Sequence, residues 1–256
     1  MSFSAATLHS LRRVFHEGFV VRDVAEPLIS FDDVTPAGHV REMVTAEGIE
    51  FVGVRRGGRV AGFAEVSQLH EGTCGDHWQP FRDELVIDGA ESLARLVLRL
   101  REHRRLFVML LGGIGGLVSR TDLQKPPMRM WLFGIITLVE MRLVRTIEDV
   151  CPEERWRQWL SPARVEKAEQ LQAERQRRGQ APSLLECLQF SDKVQIYARN
   201  ETLRATTRFE SRRQLERAGT MLEKLRNNLA HSQDIIAHDW EAIVDLAERL
   251  DAVLEA

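Results

Sequence analysis

In the first half of the chain, a stretch with the hydrophobic period of a helix is followed by short apolar runs typical of strands. This order of segments occurs twice. A segment with helical periodicity is followed by two apolar runs, which a Gly-Gly pair separates. These segments are residues 36–47, 49–54 and 60–69 in the first copy and residues 91–104, 106–111 and 114–123 in the second. Gly-Gly between β-prone runs favours a hairpin because both residues accept positive φ. The pattern therefore predicts two consecutive α-β-β units.

The second half of the chain, after Pro126-Pro127, shows helical periodicity alone. Its helical segments are residues 128–150, 163–178, 183–199, 211–231 and 238–255. Proline disfavours helix before it and is tolerated in a first helical turn, so we expect a domain boundary at this pair. We predict an α+β chain with two domains, residues 1–125 and residues 126–256, of which the second is an all-α helical bundle.

Each α-β-β unit ends in a similar phrase. The first is Gly62-Phe-Ala-Glu-Val-Ser-Gln-Leu69 and the second is Gly116-Leu-Val-Ser-Arg-Thr-Asp-Leu123. With the lead-in at residues 21–30, the segment from 19 to 123 resembles a tandem CBS-domain pair. The resemblance implies two βαββα units that pack as a pseudo-twofold disc, with adenosine-type ligands in the clefts between them.

The resemblance also implies a nucleotide site, because ligand-binding CBS modules carry nucleotide contacts in the phrase Gly-h-h-Ser/Thr-x-x-Asp, where h is apolar. The second unit matches this phrase with Gly116, Ser119 and Asp122, whereas the first has Glu65 and Gln68 at the last two positions. We expect one site, in the second repeat, for AMP, ADP, ATP or S-adenosylmethionine. The alternative is that Asp122 only caps the helix that follows.

The segment at residues 211–231 combines an apolar stripe with a polar face. On a helical wheel the stripe contains Leu215, Ala218, Leu222, Leu225 and Leu229. Asn227 and His231 share a face nearly opposite this stripe, and Arg226 lies at its flank. The spacing fits either a solvated polar face at a helix end or a functional site.

The order Arg226-Asn227-x-x-x-His231 in a late helix of an all-helical domain resembles the HEPN superfamily, over about residues 128–256. Its ribonuclease members carry Arg, four to six residues, and then His. A histidine can move the proton of a ribose 2′-OH, and an arginine can hold the phosphate. Asn227 would orient His231 or bind the phosphate. Since one histidine cannot easily be both acid and base, the resemblance implies a homodimer with two facing motifs.

Net charge, the length of the apolar runs and the number of cysteines exclude several classes of protein. The formal net charge of −3 shows no whole-chain basic character that would indicate nucleic acid, and the apolar runs are too short to span a membrane. The three cysteines are Cys74, Cys151 and Cys187, and their odd number and wide spacing disfavour a disulfide framework or a structural zinc site. We expect a cytoplasmic protein with no catalytic metal or other catalytic cofactor.

These observations lead to two main functional hypotheses, and a HEPN partner controlled by a separate enzyme such as a nucleotidyltransferase is a third possibility. The first is an adenine-nucleotide-regulated, metal-independent endoribonuclease of the toxin or phage-defence type. Its active site would form at a homodimer interface, RNA would be the substrate, and a cognate antitoxin or regulatory protein would be a further partner. The second is a non-catalytic nucleotide-sensing adaptor or dimerisation protein, in which Arg226 and His231 make structural contacts.

Overall fold

The computed structural model describes residues 13–15, 17–207 and 209–255, with side chains described up to residue 249. Internal contacts divide the chain into two units. We call Phe19–Met128 the repeat unit. The helical unit contains residues 129–255 together with the described residues before Phe19. Residues 1–12 of the predicted first domain lie outside the described residues.

The repeat unit contains two copies of a β-β-α-β-β sequence of elements. The first copy has β1 (Glu26–Pro27), β2 (Ser30–Asp32), α1 (Ala37–Thr45), β3 (Phe51–Arg56) and β4 (Arg59–Glu65). The second has β5 (Gln79–Pro80), β6 (Val86–Asp88), α2 (Leu93–Glu102), β7 (Arg105–Leu110) and β8 (Gly113–Ser119). The predicted helices and hairpins are confirmed, including positive φ at Gly57, Gly58 and Gly112 in the turns. Strands β5 and β6 were not predicted, because two or three residues are too few to show a period.

The two repeats exchange their leading strands. One sheet has the order β1-β8-β7-β6 and the other has β2-β3-β4-β5, so β1 and β5 each pair with the last strand of the opposite repeat. Pro27 lies opposite Gly116 in one sheet, and Pro80 lies opposite Gly62 in the other. A Cβ atom on Gly62 would lie 2.2 Å from the Gln79 carbonyl oxygen. Glycine at this position therefore permits the exchanged strand to approach closely.

An aromatic cluster connects the two repeats inside the repeat unit. The ring of Phe63 in β4 lies 4.6 Å from that of Phe107 in β7 and 6.0 Å from that of Phe51 in β3, measured between centroids. Arg105 lies over the Phe51 ring, with its guanidinium carbon 3.5 Å from the ring centroid. Such ring pairs add to the apolar burial that holds the repeats together.

In its described residues the helical unit has helices joined by turns and short irregular segments, and no strand, as predicted. Its helices are α3 (Pro126–Val150), α4 (Pro162–Arg177), α5 (Phe190–Arg199), α6 (Glu201–Ala205), α7 (Arg212–Ala230) and α8 (Ile235–Glu255); α3 begins in the last residues of the repeat unit. The helix predicted from residue 183 starts only at Phe190, because Gln189 is an extended N-cap residue. The prediction of an α+β chain is therefore confirmed.

Helix α5 packs closely against α7, the helix whose C-terminal end carries the predicted catalytic motif. Gly219 in α7 faces Val194 in α5, and a Cβ atom at residue 219 would lie 2.4 Å from the valine Cγ1. On α5, Lys193 is buried and its Nζ lies 2.7 Å from the carboxylate of Glu140 in α3. Because a buried charge requires a partner, this pair also sets how α5 meets α3.

Candidate functional site

The predicted catalytic residues lie at the C-terminal end of α7. The helix begins after Ser211, whose hydroxyl accepts a hydrogen bond from the backbone of Gln214, and it ends at Ala230, with His231 as the C-cap residue. The side chains of Asn227 and His231 are exposed, and that of Arg226 is half-buried. The predicted surface position of the histidine is confirmed.

The end of α7 is closed by hydrogen bonds from the residues that follow it. The His231 N–H donates to the Asn227 carbonyl at 3.1 Å, and the Gln233 N–H donates to the Asn228 carbonyl at 3.0 Å. Between them Ser232 has a φ of 53°, the left-handed conformation that reverses a chain after a helix. This closure determines the direction of the backbone at His231.

Arg129 stabilises the same helix end from α3. Its guanidinium donates to the carbonyl oxygens of Asn228 and Leu229 at 3.1 Å each and to that of Gln233 at 2.9 Å. These carbonyls carry the partial negative charge of the helix C-terminus, so a cation here is favourable. No pattern within α7 indicates Arg129, because this residue lies about one hundred positions away along the chain.

Asn228 is the amide that anchors this helix end. It is 9% exposed, and its Nδ2 donates to the carboxylate of Asp239 in α8 at 2.6 Å. Asp239 is 4% exposed, and Lys224 Nζ lies 3.7 Å from its other oxygen. From the sequence, only the neighbouring Asn227 was predicted to have a role. The helical wheel does indicate that Asn228 is buried, because this residue lies about 60° from Leu225 and thus beside the apolar stripe.

The predicted nucleotide-binding residues lie at the end of β8 in the second repeat. Asp122 Oδ2 accepts hydrogen bonds from the Ser119 N–H at 2.7 Å and from the Ser119 hydroxyl at 2.9 Å. Its other oxygen lies 2.9 Å from Lys125 Nζ, which also pairs with Glu26. Gly116 lies in the sheet opposite Pro27. The structure thus brings Gly116, Ser119 and Asp122 to one strand end, in a geometry that also caps the following turn.

Lys125 carries a raised pKa at this strand end. Burial by itself would lower the pKa of its ammonium group, but hydrogen bonds to Glu26 and Asp122 outweigh that effect. The lysine therefore stays charged near neutral pH and adds a cation beside the predicted ribose-binding carboxylate. Because Lys125 is paired with two carboxylates, its charge is already compensated at this strand end.

The first repeat has no equivalent of this cap at Glu65 and Gln68. There the chain forms a short turn at Val66–Gln68, and the Glu65 carboxylate accepts a hydrogen bond from the Ser67 hydroxyl at 2.9 Å. A cap with the same two hydrogen bonds lies further along, in the turn before β5, where Asp76 Oδ2 accepts from the Thr73 N–H at 2.8 Å and from the Thr73 hydroxyl at 2.9 Å. These bonds lower the pKa of Asp76, that from the backbone of Thr73 most.

No family model and no curated protein matches the chain. Similar solved structures include the CBS-pair protein CBSX2 from Arabidopsis thaliana, at 18% identity and a TM-score of 0.34, covering 41% of this chain and 91% of that protein. The CBS domain of a CBS-domain-containing membrane protein from Sphaerobacter thermophilus is 16% identical, with a TM-score of 0.36 and coverage of 46% and 93%. The CBS domain of a bacterial CNNM/CorC family Mg²⁺ transporter in complex with ATP is 17% identical, with a TM-score of 0.34 and coverage of 45% and 91%. The likeness is to CBS domains over less than half of this chain.

Three further findings concern the described residues. Within them, no three or more His, Cys, Asp or Glu side chains are grouped so as to hold a metal ion. No helix in the same part of the chain has the length and apolar character needed to cross a membrane. All three cysteines are buried as free thiols, and burial raises the pKa of each.

Proposed function

We propose that the helical unit is a metal-independent endoribonuclease of the HEPN type and that Arg226, Asn227 and His231 form its active site. The observation that carries this proposal is the fixed end of α7. Arg129 donates hydrogen bonds to the last carbonyl oxygens of α7, and the buried pair of Asn228 and Asp239 connects α7 to α8. The side chains of Asn227 and His231 are exposed. Catalytic side chains work best on backbone held rigidly by supporting residues.

The proposed chemistry uses the nucleophile that RNA already carries. The 2′-oxygen attacks the adjacent phosphorus, the bond from phosphorus to the 5′-oxygen breaks, and the products are a 2′,3′-cyclic phosphate and a 5′-hydroxyl. One His231 accepts the 2′-OH proton, and a second protonates the leaving 5′-oxygen. Arg226 holds the phosphate and stabilises its developing charge. Asn227 orients His231 or binds the phosphate.

Because one chain supplies a single histidine at this site, the proposed active site requires a homodimer. The exposed face of α7 that carries Asn227 and His231 would then meet its copy across the RNA-binding cleft. Sedimentation of the full chain at the concentrations used for cleavage is expected to show a dimer. A monomer that cleaves RNA at full rate would refute the composite site.

The test of catalysis is cleavage of mixed RNA by the purified chain in EDTA. Arg226→Ala and His231→Ala are each expected to lower the rate by about 10²-fold or more, the usual contribution of an acid–base group. Arg217→Ala and His238→Ala are matched controls, because both residues are exposed on α7 or α8 outside the motif. Full activity in His231→Ala, or no cleavage by the wild type with and without adenine nucleotides, rejects the proposal.

We also propose that the second repeat binds an adenine nucleotide and regulates the helical unit. Ser119 and Asp122 support this, since they place a hydroxyl and a carboxylate at one strand end, as recognition of a ribose requires. If the nucleotide binds but no RNA is cleaved under any condition, the chain is the nucleotide-sensing adaptor instead.

Calorimetric titration with AMP, ADP, ATP and S-adenosylmethionine tests this second proposal. Asp122→Ala is expected to abolish binding. Asp76→Ala is the matched control, because it removes a cap with the same two hydrogen bonds from a position outside the nucleotide phrase. Gln68→Ala should also leave binding intact. Loss of binding in Asp76→Ala or Gln68→Ala, with retention in Asp122→Ala, contradicts the site assignment.

A further inference from the structure

Lys125 connects β1 to the turn after β8, immediately before α3 begins. Its Nζ donates a hydrogen bond to the Val24 carbonyl oxygen at 2.7 Å and lies 2.9 Å from Asp122 Oδ1. It also pairs with the Glu26 carboxylate in β1. An ammonium group has three donors, so these three contacts use all of them. We call this set of four residues the Lys125 bridge.

The Lys125 bridge occupies the carboxylate that a ribose would need. An ionised carboxylate has about four lone-pair sites for hydrogen bonds. In Asp122, the N–H and the hydroxyl of Ser119 use two of these sites, and Lys125 uses a third. The Asp122 side chain is only 12% exposed, so a ligand has little access to the last site. Two ribose hydroxyls can therefore donate to Asp122 only if one of its present partners leaves.

Lys125 can leave Asp122 and still be paired. Its ammonium group would keep the Glu26 carboxylate and a backbone carbonyl oxygen. The Ser119 N–H, in contrast, would lose its acceptor, which is costly for a part-buried backbone donor. Rotation of the Ser119 hydroxyl towards Thr121 Oγ1, 2.8 Å away, is the competing way to free a site. Its consequence differs, because it would leave Lys125 in place.

Loss of the Lys125 contact would act on the start of α3. Lys125 is the residue before Pro126 and has the extended backbone that a following proline favours, with a ψ of 151°. Helix α3 then runs from Pro126 to Val150. One turn into this helix, Arg129 donates to the carbonyl oxygens at the end of α7. The side chain that holds the start of α3 and the side chain that holds the end of α7 are therefore four positions apart in the chain.

We propose that Lys125 competes with the ribose of a bound nucleotide for Asp122, and that its displacement transmits nucleotide binding through α3 to the end of α7. This inference rests on the proposed nucleotide site and on its proposed regulatory role. Without ligand, Lys125 restrains the start of α3; with ligand, Asp122 binds the ribose and the restraint is absent. A ligand that binds one of two states shifts the protein towards that state. Because the restraint supports the end of α7, nucleotide binding lowers RNA cleavage.

Titration calorimetry of the full-length protein with AMP and adenosine tests the competition. Lys125→Met removes the charge from a side chain of similar length. It should bind both ligands about tenfold more tightly than the wild type, because no ammonium group has to be displaced. Lys167→Met is the matched control, since Lys167 is exposed on α4, and it should leave both affinities unchanged.

The other calorimetric outcomes overturn the proposal. Weaker AMP binding by Lys125→Met would mean that Lys125 contacts the phosphate. Equal binding would mean that the Ser119 hydroxyl moves instead, and this result would leave the nucleotide site itself intact. Binding of neither ligand by the wild type or by Lys125→Met would remove the nucleotide site and this inference together.

Glu26→Gln provides a second test, with the opposite sign. In this variant a displaced Lys125 would have no carboxylate partner left in the bridge, so displacement becomes less favourable. AMP should then bind about threefold more weakly, as expected for the loss of an exposed ion pair. The Glu26 side chain is 60% exposed, so the fold should persist, which circular dichroism checks. Unchanged AMP affinity in Glu26→Gln overturns the proposal even if Lys125→Met does not fold.

Hydrogen exchange measured by mass spectrometry tests the transmission to α7. The N–H groups of His231 and Gln233 donate to carbonyl oxygens in the last turn of α7, so their exchange reports opening of this helix end. AMP added to the wild type, and Lys125→Met without ligand, should each raise exchange in residues 227–233. The expected rise is about fivefold, which corresponds to about 1 kcal/mol of local stability. Residues 166–173 of α4 are the control segment and should not change.

Unchanged exchange at residues 227–233 in both experiments overturns the transmission, as does faster RNA cleavage in the presence of AMP. Hydrogen exchange does not require cleavage. A chain that shows the expected exchange but cleaves no RNA therefore loses the proposed catalysis and keeps the competition at Asp122.

Discussion

Asn228→Ala should destabilise the helical unit strongly, although the residue lies next to a surface amide of the same type. The Asn228 side chain donates to the Asp239 carboxylate at 2.6 Å, and both residues are buried. Removing the amide deletes this hydrogen bond and leaves the carboxylate with the more distant Lys224 at 3.7 Å. Asn227→Ala, by contrast, truncates an exposed side chain.

The expected magnitude follows from the kind of hydrogen bond that is lost. A hydrogen bond to a charged group contributes about 1.5–3 kcal/mol, and stranding a buried acceptor adds to that loss. We expect Asn228→Ala to lower the free energy of unfolding by about 3 kcal/mol, or Tm by roughly 10 °C. Asn227→Ala should stay within about 0.5 kcal/mol of the wild type, as is usual for surface positions.

Urea denaturation, monitored by circular dichroism at 222 nm, measures the free energy of unfolding of both variants. The helical unit supplies most of the signal at this wavelength. A double-mutant cycle with Asp239→Ala isolates the pair. The cost of Asn228→Ala should shrink by about 1 kcal/mol or more when Asp239 is already absent. Equal stability of the two single asparagine variants would falsify the claim that Asn228 anchors the end of α7.

Three further predictions follow from single positions. Ser232→Gly should stabilise the protein by about 0.5–1 kcal/mol in thermal unfolding, because Ser232 has a φ of 53° that glycine adopts without strain. Gly62→Ala should cost about 2 kcal/mol or more, because its Cβ would lie 2.2 Å from the Gln79 carbonyl oxygen, whereas Gly115→Ala has its nearest neighbour at 3.7 Å and should cost much less. Burial raises the pKa of Tyr197, the one tyrosine of the chain, so absorbance at 295 nm should show phenolate forming only above about pH 10, and stability should fall as pH rises through that range. A phenolate titration that ends below pH 10 would contradict the buried position.

The long elements could be predicted from the sequence because their periods repeat several times. Helix α7 was predicted at residues 211–231 and is observed at Arg212–Ala230, since Ser211 and the left-handed Ser232 mark its two ends. The exchange of β1 and β5 between the repeats could not be predicted. Each strand has two residues, and its position depends on Gly116 and Gly62 in the partner strands, which no local pattern reveals.

The first repeat shows why a similar sequence phrase does not predict which side chains form the same hydrogen bonds. Alignment of the two phrases pairs Gln68 with Asp122, yet the hydrogen bonds that Asp122 makes are found at Asp76, in a separate short turn just before β5. A cap of this kind needs only a donor residue three positions before a carboxylate. It can therefore form at different turns without any change in the sheet. A nucleotide needs that carboxylate at one particular strand end. The comparison of Asp122→Ala with Asp76→Ala therefore separates ligand recognition from capping, which neither the phrase nor the hydrogen bonds can do alone.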